Sequence, residues 1–224
     1  MAARSGEYRR IWLLFGILLA LTGVILAAVL AARARIPDYV GRELSGAERD
    51  EVISRNSPLT EYVFLTSVAD FPREEPVRKI TIHHMAADDI GLKDLGNAFS
   101  KTDLRTSANY GIDRDGHVGL YVEERNRAWS SSSPVNDHQA VTIEVANDTF
   151  GGDWHVSDES YDALIELCAD ICRRNGIEEL IYTGDAEGNL TIHKMFSDTE
   201  CPGPYLESKM PEIAKAVNQR LNAD

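Results

Sequence analysis

The chain has 224 residues and a formal net charge of −13 at pH 7, which is enough length for one domain of ordinary size and a short additional segment. Five of its 23 basic residues and one of its 36 acidic residues precede residue 36, so the remainder carries a net charge of −17. A domain of that charge repels phosphates, which excludes DNA or RNA binding as a main function.

The N-terminal region contains a long apolar stretch. After a tail of residues 1–10, residues 11–32 (IWLLFGILLALTGVILAAVLAA) include no charged side chain. About 20 apolar residues suffice for a helix to cross a bilayer, whereas the apolar region of a signal peptide has only about 7–15. The length predicts an uncleaved transmembrane helix, with a cleaved signal peptide as the alternative. Arginines occur on both sides of the segment, so they do not set its orientation.

Residues 33–76 are predicted to connect this helix to a main domain that spans 77–224. The stretch SGAERDEVISRN begins with Ser45 three residues before Glu48, which is the spacing of a capping box and predicts a short helix. TEYVFLTSV is compatible with a strand or an extended arm, and two prolines follow it. The sequence leaves open whether this connector is a spacer or packs on the domain.

In the main domain, strand and helix patterns alternate, which predicts an α/β fold with a central mixed β-sheet flanked by helices. Asp115-Gly116 marks a hairpin within NYGIDRDGHVGLYV. The other predicted elements are a strand over Lys79–His84, a helix over Ile90–Phe99, a strand at AVTIEVAN, a helix over Asp158–Arg174 capped by Ser157 and ended by Asn175-Gly176, a strand at ELIYTG, and a helix at MPEIAKAVNQRL with Pro211 near its start.

The three cysteines are too few for a disulfide framework. Cys168 and Cys172 lie on the apolar stripe of a predicted helix, where free cysteine behaves as a small hydrophobic residue. Cys201 precedes Pro202-Gly203-Pro204 in a stretch without apolar periodicity, so we predict an exposed loop. A thiol outside the core usually has a partner, such as a metal ion.

Two adjacent histidines end the first strand of the domain, in RKITIHHMAAD. Neighbouring side chains on a strand point to opposite faces, so His83 and His84 cannot both reach one site. A further histidine, His193, precedes Cys201 by eight positions. Two imidazoles and a thiolate suit Zn²⁺ and leave its fourth position to water, but this spacing alone also fits a chance arrangement.

Glu144 is an acidic residue within the strongly apolar strand AVTIEVAN. Val141, Ile143 and Val145 share one face of that strand, and Glu144 lies on the other. Either this second face is exposed to solvent, or it adjoins a metal ion and Glu144 takes a proton from a metal-activated water.

Residues from about 77 to 221 resemble the zinc-dependent N-acetylmuramoyl-L-alanine amidases, a family that includes phage endolysins and bacterial cell-wall amidases and is related to the peptidoglycan-recognition proteins. The resemblance implies that His83, His193 and Cys201 bind Zn²⁺, that Glu144 is the catalytic acid–base residue, and that His84 is structural. The stretches that carry it are ITIHHMAA, NYGIDRDGHVGLYV, NRAWSSS, AVTIEVAND and HKMFSDTECPGP.

The sequence departs from the family pattern at three positions. Ala108 stands where many relatives have tyrosine, Thr199 where some have lysine, and Ser130 follows Trp129 where histidine is usual. Two helpers that commonly stabilise the oxyanion are therefore missing. By position alone, Asn109 and Thr199 are candidate substrate-binding residues.

The resemblance implies hydrolysis of the amide between N-acetylmuramic acid and L-alanine in peptidoglycan. Because this substrate lies outside the cytoplasmic membrane, we expect a single-pass membrane protein with its catalytic domain on the extracytoplasmic side. Two alternatives are a zinc-containing peptidoglycan-binding module without catalysis, and a membrane scaffold with incidental hydrolase ancestry.

Overall fold

The computed structural model describes residues 2–33 and 37–223, without the side chains of residues 2–11 and 28–33. Ala2–Arg33 form one helix, α1, in a unit of the chain that ends at Asp38. The predicted transmembrane segment 11–32 lies in this helix, and its two ends fall outside the residues whose side chains are described. Among the described residues, no helix has both the length and the apolar character needed to cross a membrane. The predicted membrane span is therefore not confirmed.

A second unit begins at Tyr39 and contains the remaining helices and strands. Its helices are α2 (Gly46–Ile53), α3 (Leu92–Phe99), α4 (Pro134–Asp137), α5 (Asp158–Asn175) and α6 (Gly203–Leu221). Its strands are β1 (Arg42–Glu43), β2 (Thr60–Leu65), β3 (Ala69–Asp70), β4 (Lys79–His84), β5 (Tyr110–Ile112), β6 (Val118–Leu120), β7 (Arg127–Ala128), β8 (Ala140–Val145) and β9 (Leu190–Ile192). A 3₁₀ turn, His193–Met195, follows β9 directly.

Seven strands form one mixed sheet in the spatial order β1-β2-β6-β5-β8-β4-β9, and β3 pairs separately with β7. Strands β5, β8, β4 and β9 are parallel to their neighbours in this series. Strand β6 runs antiparallel to β5 across the hairpin predicted at Asp115-Gly116. Together with its helices, this sheet confirms the predicted α/β domain. Because parallel strands end at the same edge of a sheet, the carboxyl ends of β4, β8 and β9 lie together.

Strands β4 and β8 separate an apolar face of the sheet from a polar one. The main apolar core joins one face to α5 and α6, and from these two strands it contains Ile80, Ile82, Val141, Ile143 and Val145. The residues that alternate with them, Thr81, His83, Thr142 and Glu144, lie on the opposite face. The predicted division of AVTIEVAN into an apolar and a polar face is therefore confirmed, and it places His83 and Glu144 on the same side.

Helix α5 begins and ends as predicted. The Ser157 hydroxyl accepts a hydrogen bond from the Ser160 N–H at 3.1 Å, and Gly176 adopts a left-handed conformation with φ of 68° just after the last turn. Cys168 and Cys172 are fully buried in the main core, where burial raises the pKa of both thiols. The prediction that this pair is structural is confirmed.

The segment ELIYTG does not form the predicted strand. The backbone N–H of Leu180 donates to Asn218 Oδ1 at 2.8 Å, and the Leu180 carbonyl accepts from Asn218 Nδ2 at 2.9 Å. These bonds to a side chain on α6 replace those of a strand ladder, and β9 occupies the sheet edge beside β4 instead.

Helix α6 begins at Gly203, earlier than predicted, with Pro204 in its first turn and Pro211 in its interior. Proline is tolerated in a first turn, where N–H groups have no partner within the helix. The interior proline is accommodated because a buried apolar stripe continues on both sides of it, through Leu206, Met210, Ile213 and Val217.

The segment predicted as a connector contributes to the sheet and the core. The short helix is confirmed as α2, but the Ser45 side chain makes no cap hydrogen bond, and Glu48 bonds to Arg42 at 2.6 Å instead of to the helix start. TEYVFLTSV contains strand β2, which pairs with β6, and its Val63 and Leu65 are buried in the main core.

Candidate functional site

Two neighbouring parallel strands bring His83 and Glu144 together. The register of β4 and β8 aligns these two residues as partners, so their side chains leave the same face side by side. His83 Nδ1 lies 3.9 Å from Glu144 Oε1. His83 is buried, and the Glu144 side chain is 17% exposed. The alternative in which the Glu144 face is open to solvent is therefore wrong.

His193 and Cys201 complete a compact cluster with His83. His193 begins the 3₁₀ turn after β9, and Cys201 lies in the loop before α6. The ligand atoms of His83, His193 and Cys201 all lie within 4.8 Å of one another, and Cys201 Sγ is 3.7 Å from His83 Nδ1. The structure thus unites the three residues predicted to bind a metal, although they are separated by up to 118 positions in sequence.

Cys201 is less exposed than the sequence predicts. Its residue exposure is only 9%, because its sulfur packs against His83 and accepts the His84 N–H at 3.4 Å. The Pro-Gly-Pro stretch that follows it forms the start of α6, so lack of apolar periodicity did not indicate exposure here.

The donor set fits a small divalent metal ion. Two imidazoles and one thiolate are ligands that Zn²⁺ prefers, and three protein ligands leave one tetrahedral position open. His193 Nε2 and Glu144 Oε2 are buried and have no hydrogen-bond partner in the described part of the chain. Buried polar atoms are nearly always satisfied, so two orphaned atoms beside these donors indicate room for an additional polar or charged group.

Burial favours the uncharged forms of His83, His193 and Cys201. Burial, together with the neighbouring His193 and His84, lowers the pKa of His83 well below its usual value. Burial also lowers the pKa of His193, and the charge of Asp137 partly opposes that shift. Burial and the charge of Glu144 raise the pKa of the Cys201 thiol. Metal binding would therefore find neutral imidazoles already in place and would have to displace a proton from the thiol.

Glu144 has the properties of a group that exchanges protons near neutral pH. Burial raises its pKa to about 8, and no cation or hydrogen-bond donor among the described residues neutralises its Oε2 atom. General acid–base groups work best when their pKa lies near the working pH. The carboxyl group can therefore both accept and release a proton at this position.

Ser130 contacts the ring nitrogen of His83 that does not face Cys201 and Glu144. The Ser130 hydroxyl lies 3.0 Å from His83 Nε2, which leaves Nδ1 as the ring atom that faces Cys201 and Glu144. Asp137 in turn fixes the serine loop, because its carboxylate accepts the N–H groups of Ser130 and Ser131 at 3.2 and 3.1 Å and the Ser131 hydroxyl at 2.6 Å. The position that departs from the family's Trp-His pair thus supports a candidate metal ligand.

Sequence reasoning missed this supporting role of Ser130 and Asp137. The sequence marked Ser130 only as a departure from the family, and nothing in the local pattern around Asp137 points to it. The segment SSSPVND contains several side chains that can accept hydrogen bonds. Its sequence does not show which of them binds the N–H groups of the loop, and only the folded conformation identifies Asp137.

The two candidate substrate-binding residues have different outcomes. Asn109 is fully buried, donates to the Val122 carbonyl at 3.0 Å and accepts the Thr142 N–H at 3.0 Å. These bonds occupy its amide in the core, so the structure contradicts a contact with substrate. Thr199 is half-buried, and its hydroxyl accepts the Cys201 N–H at 3.2 Å. Thr199 therefore positions the cysteine loop, and its contact with substrate stays a prediction.

His84 points to the opposite face from His83. Its ring packs edge-on against Trp154, with ring centroids 5.1 Å apart, and its backbone N–H bonds to Cys201 Sγ. His84 is therefore placed as a supporting residue, as the resemblance implies, and its side chain is not among the candidate ligands.

Comparisons with known proteins identify the family and the fold. A family profile described as N-acetylmuramoyl-L-alanine amidase matches residues 73–204, more than half of the chain. No curated protein matches the sequence. One similar solved structure is PlyL, at 16% identity and a TM-score of 0.54, where the match covers 69% of this chain and 94% of that one. The catalytic domain of XlyA matches at 15% identity and a TM-score of 0.54, over 69% of this chain and 98% of that one. The Staphylococcus aureus hydrolase AmiA in complex with its ligand matches at 14% identity and a TM-score of 0.57, over 80% of this chain and 93% of that one. At these identities, the structures show a shared fold.

Proposed function

Because the chain belongs to the N-acetylmuramoyl-L-alanine amidase family, we propose that it hydrolyses the amide between the lactyl group of N-acetylmuramic acid and L-alanine in peptidoglycan. The observation that carries this proposal is the grouping of His83, His193 and Cys201 beside the buried carboxyl group of Glu144. That combination supplies a metal site and an acid–base group on one face of the sheet.

The metal proposed for this site is Zn²⁺, held by His83, His193 and Cys201. When bound, it supplies Lewis acidity that polarises the amide carbonyl and makes water more acidic. The supporting contacts belong to the chain itself. Ser130 orients the His83 ring, the His84 N–H contacts the Cys201 sulfur, and Thr199 holds the backbone of the cysteine loop.

Glu144 is proposed to move the proton. Its carboxylate accepts a proton from the attacking water and then delivers that proton to the departing amino group of L-alanine. The same carboxyl group can serve both transfers, because it lies beside the metal ligand His83 and its Oε2 atom has no other partner among the described residues. The low exposure of the site limits competing hydrogen bonds from bulk water, which strengthens each interaction within it.

The test is a cleavage assay with purified peptidoglycan and the full-length chain in detergent. Newly released L-alanine amino groups are measured by mass spectrometry, with and without a chelator, and after zinc is added back. We expect release that disappears with the chelator and returns with zinc. A chain that binds stoichiometric zinc and cell wall but releases no alanine amines would instead be a binding module, and the amidase proposal would be wrong.

We also propose that the chain is attached to a membrane through residues 11–32, with the domain on the extracytoplasmic side. The sequence supports this, since the segment contains 22 residues without a charge. In α1, the apolar side chains described between Trp12 and Leu26 are exposed, and an exposed apolar surface of that extent usually has a lipid or protein partner.

Membrane flotation distinguishes the alternatives for this segment. The full-length chain should float with lipid vesicles, and a variant that lacks residues 1–35 should not. Protease added to intact cells should then degrade the domain. Equal behaviour of the two chains would contradict the anchor, and an N-terminus found beyond residue 32 by mass spectrometry would identify a cleaved signal peptide.

A further inference from the structure

A cleft opens beside the candidate metal centre. It has a volume of about 390 Å³, and its lining includes His193 and Ser130, which belong to or support that centre. The lining also includes Leu104 and Arg105 from the loop before β5, and Arg127 and Trp129 from β7 and the residues after it. A substrate group next to the metal centre therefore extends into a cleft with two arginines.

Trp129 forms a platform for both arginines. The guanidinium carbon of Arg105 lies 5.4 Å from the centre of the Trp129 ring, and that of Arg127 lies 5.9 Å from it. Both distances are within the range of cation–π attraction. The indole itself is fixed, because its Nε1–H donates to Asp70 Oδ1 at 3.0 Å. The two cations are thus held on a rigid surface.

The charges in this cleft are unevenly compensated. Asp70 Oδ2 lies 2.6 Å from Arg127 Nε, so Arg127 has a carboxylate partner. The carboxylate of Asp137, which also lines the cleft, is buried and occupied by Ser130 and Ser131. Arg105 is exposed and has no carboxylate partner within the described residues. One positive charge is therefore available to a ligand, in a chain whose net charge is −13.

We propose that Arg105, Arg127 and Trp129 form a subsite for a carboxylate of the substrate's peptide. A guanidinium group presents paired N–H donors that match a carboxylate, and stacking on an aromatic ring pre-orders it for that contact. This inference rests on the proposed amidase function. According to this proposal, the peptide of the substrate lies in the cleft next to Arg105. An acidic residue of that peptide, close to the amide that is cleaved, then determines specificity.

The first test compares two muramyl dipeptides of L-alanine and D-glutamate, with both glutamate carboxyl groups either free or amidated. The zinc-loaded full-length chain should cleave the acidic form with kcat/KM about tenfold higher, since charge-assisted hydrogen bonds are the stronger ones. Arg105→Gln should remove this preference, so that the two dipeptides are cleaved with similar kcat/KM. Arg114→Gln, which changes an exposed arginine outside the cleft, should retain the preference.

A binding measurement separates failure of the subsite from failure of the amidase proposal. The indole N–H resonance of Trp129, assigned with Trp129→Phe, is followed by NMR in the Glu144→Gln chain during titration with each dipeptide. Tighter binding of the acidic form, abolished by Arg105→Gln, supports the subsite even if no peptide is cleaved. Equal affinity for the two dipeptides, or a preference that survives Arg105→Gln, would overturn the subsite even if the enzyme is active.

Discussion

Two glutamates in this domain, Glu124, which is buried, and Glu144, whose Oε2 atom is buried, have opposite surroundings. Glu124 accepts hydrogen bonds from both terminal nitrogens of Arg174 at 2.6 and 2.9 Å, from the Tyr110 hydroxyl at 2.7 Å, and from Asn175 Nδ2 at 2.9 Å. Glu144 has His83 Nδ1 at 3.9 Å, and its Oε2 atom has no partner in the part of the chain that the structure describes. The Glu124 carboxylate is therefore fully hydrogen-bonded within the fold, whereas the Glu144 carboxyl group keeps an oxygen atom that can exchange a proton.

The comparison shows that burial does not by itself identify a functional carboxylate. A buried charge is tolerated when several donors neutralise it, as at Glu124. A buried carboxyl group that lacks such donors costs stability, and its persistence indicates a role that the fold does not explain. The same distinction separates Cys201, which lies beside two histidines, from the apolar pair Cys168 and Cys172.

The largest expected effect follows removal of the free carboxylate. Glu144→Gln should lower kcat by about 10³-fold, because a general acid–base group contributes on the order of 10²–10⁴. Zinc content, measured by metal analysis, should be unchanged, since His83, His193 and Cys201 remain. Activity within tenfold of the original chain would show that another group moves the proton.

The matched substitution at Glu124, whose carboxylate is fully hydrogen-bonded, should affect stability instead of catalysis. Glu124→Gln should lower the free energy of unfolding by about 2 kcal/mol, because it leaves the partly buried Arg174 without full compensation. Denaturant unfolding measures the effect, and the kcat of the folded fraction should stay within about twofold. A large loss of kcat in fully folded protein would remove the contrast between the two sites.

The pH dependence of stability should reveal the raised pKa of Glu144. In the metal-free protein, the folded state keeps this carboxyl group protonated up to about pH 8, whereas the unfolded chain releases the proton near pH 4.5. Between these values, stability relative to Glu144→Gln should fall as pH rises, by up to about 1.4 kcal/mol per pH unit. Parallel unfolding curves for the two chains across this range would contradict the raised pKa.

A smaller effect is expected from the support of His83. Ser130→Ala should weaken zinc binding about tenfold, because the partners of metal-ligating histidines tune affinity by roughly that amount. Competition with a fluorescent chelator measures the affinity, and ¹⁵N NMR of the His83 ring should show a changed tautomer ratio. Ser132→Ala, at an exposed position on the same loop, is the control and should bind zinc normally.

The parts of the fold that the sequence predicted are those fixed by local periodicity. Strands β4 and β8 and helix α5 have clear apolar repeats and end signals such as Ser157 and Gly176, and they appear as predicted. The predicted strand at ELIYTG is wrong, because the backbone of Leu180 bonds to the side chain of Asn218, 38 positions away. Local patterns do not contain such distant partners.

The candidate site shows the same limit. Strand alternation correctly separated His83 from His84 and placed Glu144 opposite the apolar residues of β8. Spacing could not distinguish a metal centre from chance, and only the family resemblance united His83 with His193 and Cys201. The buried position of Asn109 and the support from Ser130 depend on contacts between loops and strands, so the sequence could not provide them.

The distance along the chain between the candidate ligands has a consequence for synthesis. His83 is made early, and His193 and Cys201 follow 110 and 118 residues later. A ribosome-bound chain that has not yet reached Cys201 has no complete ligand set, and strand β9, which positions His193, is also made late. The proposed metal site is thus incomplete in an unfinished chain and can form only after Cys201 has been synthesised.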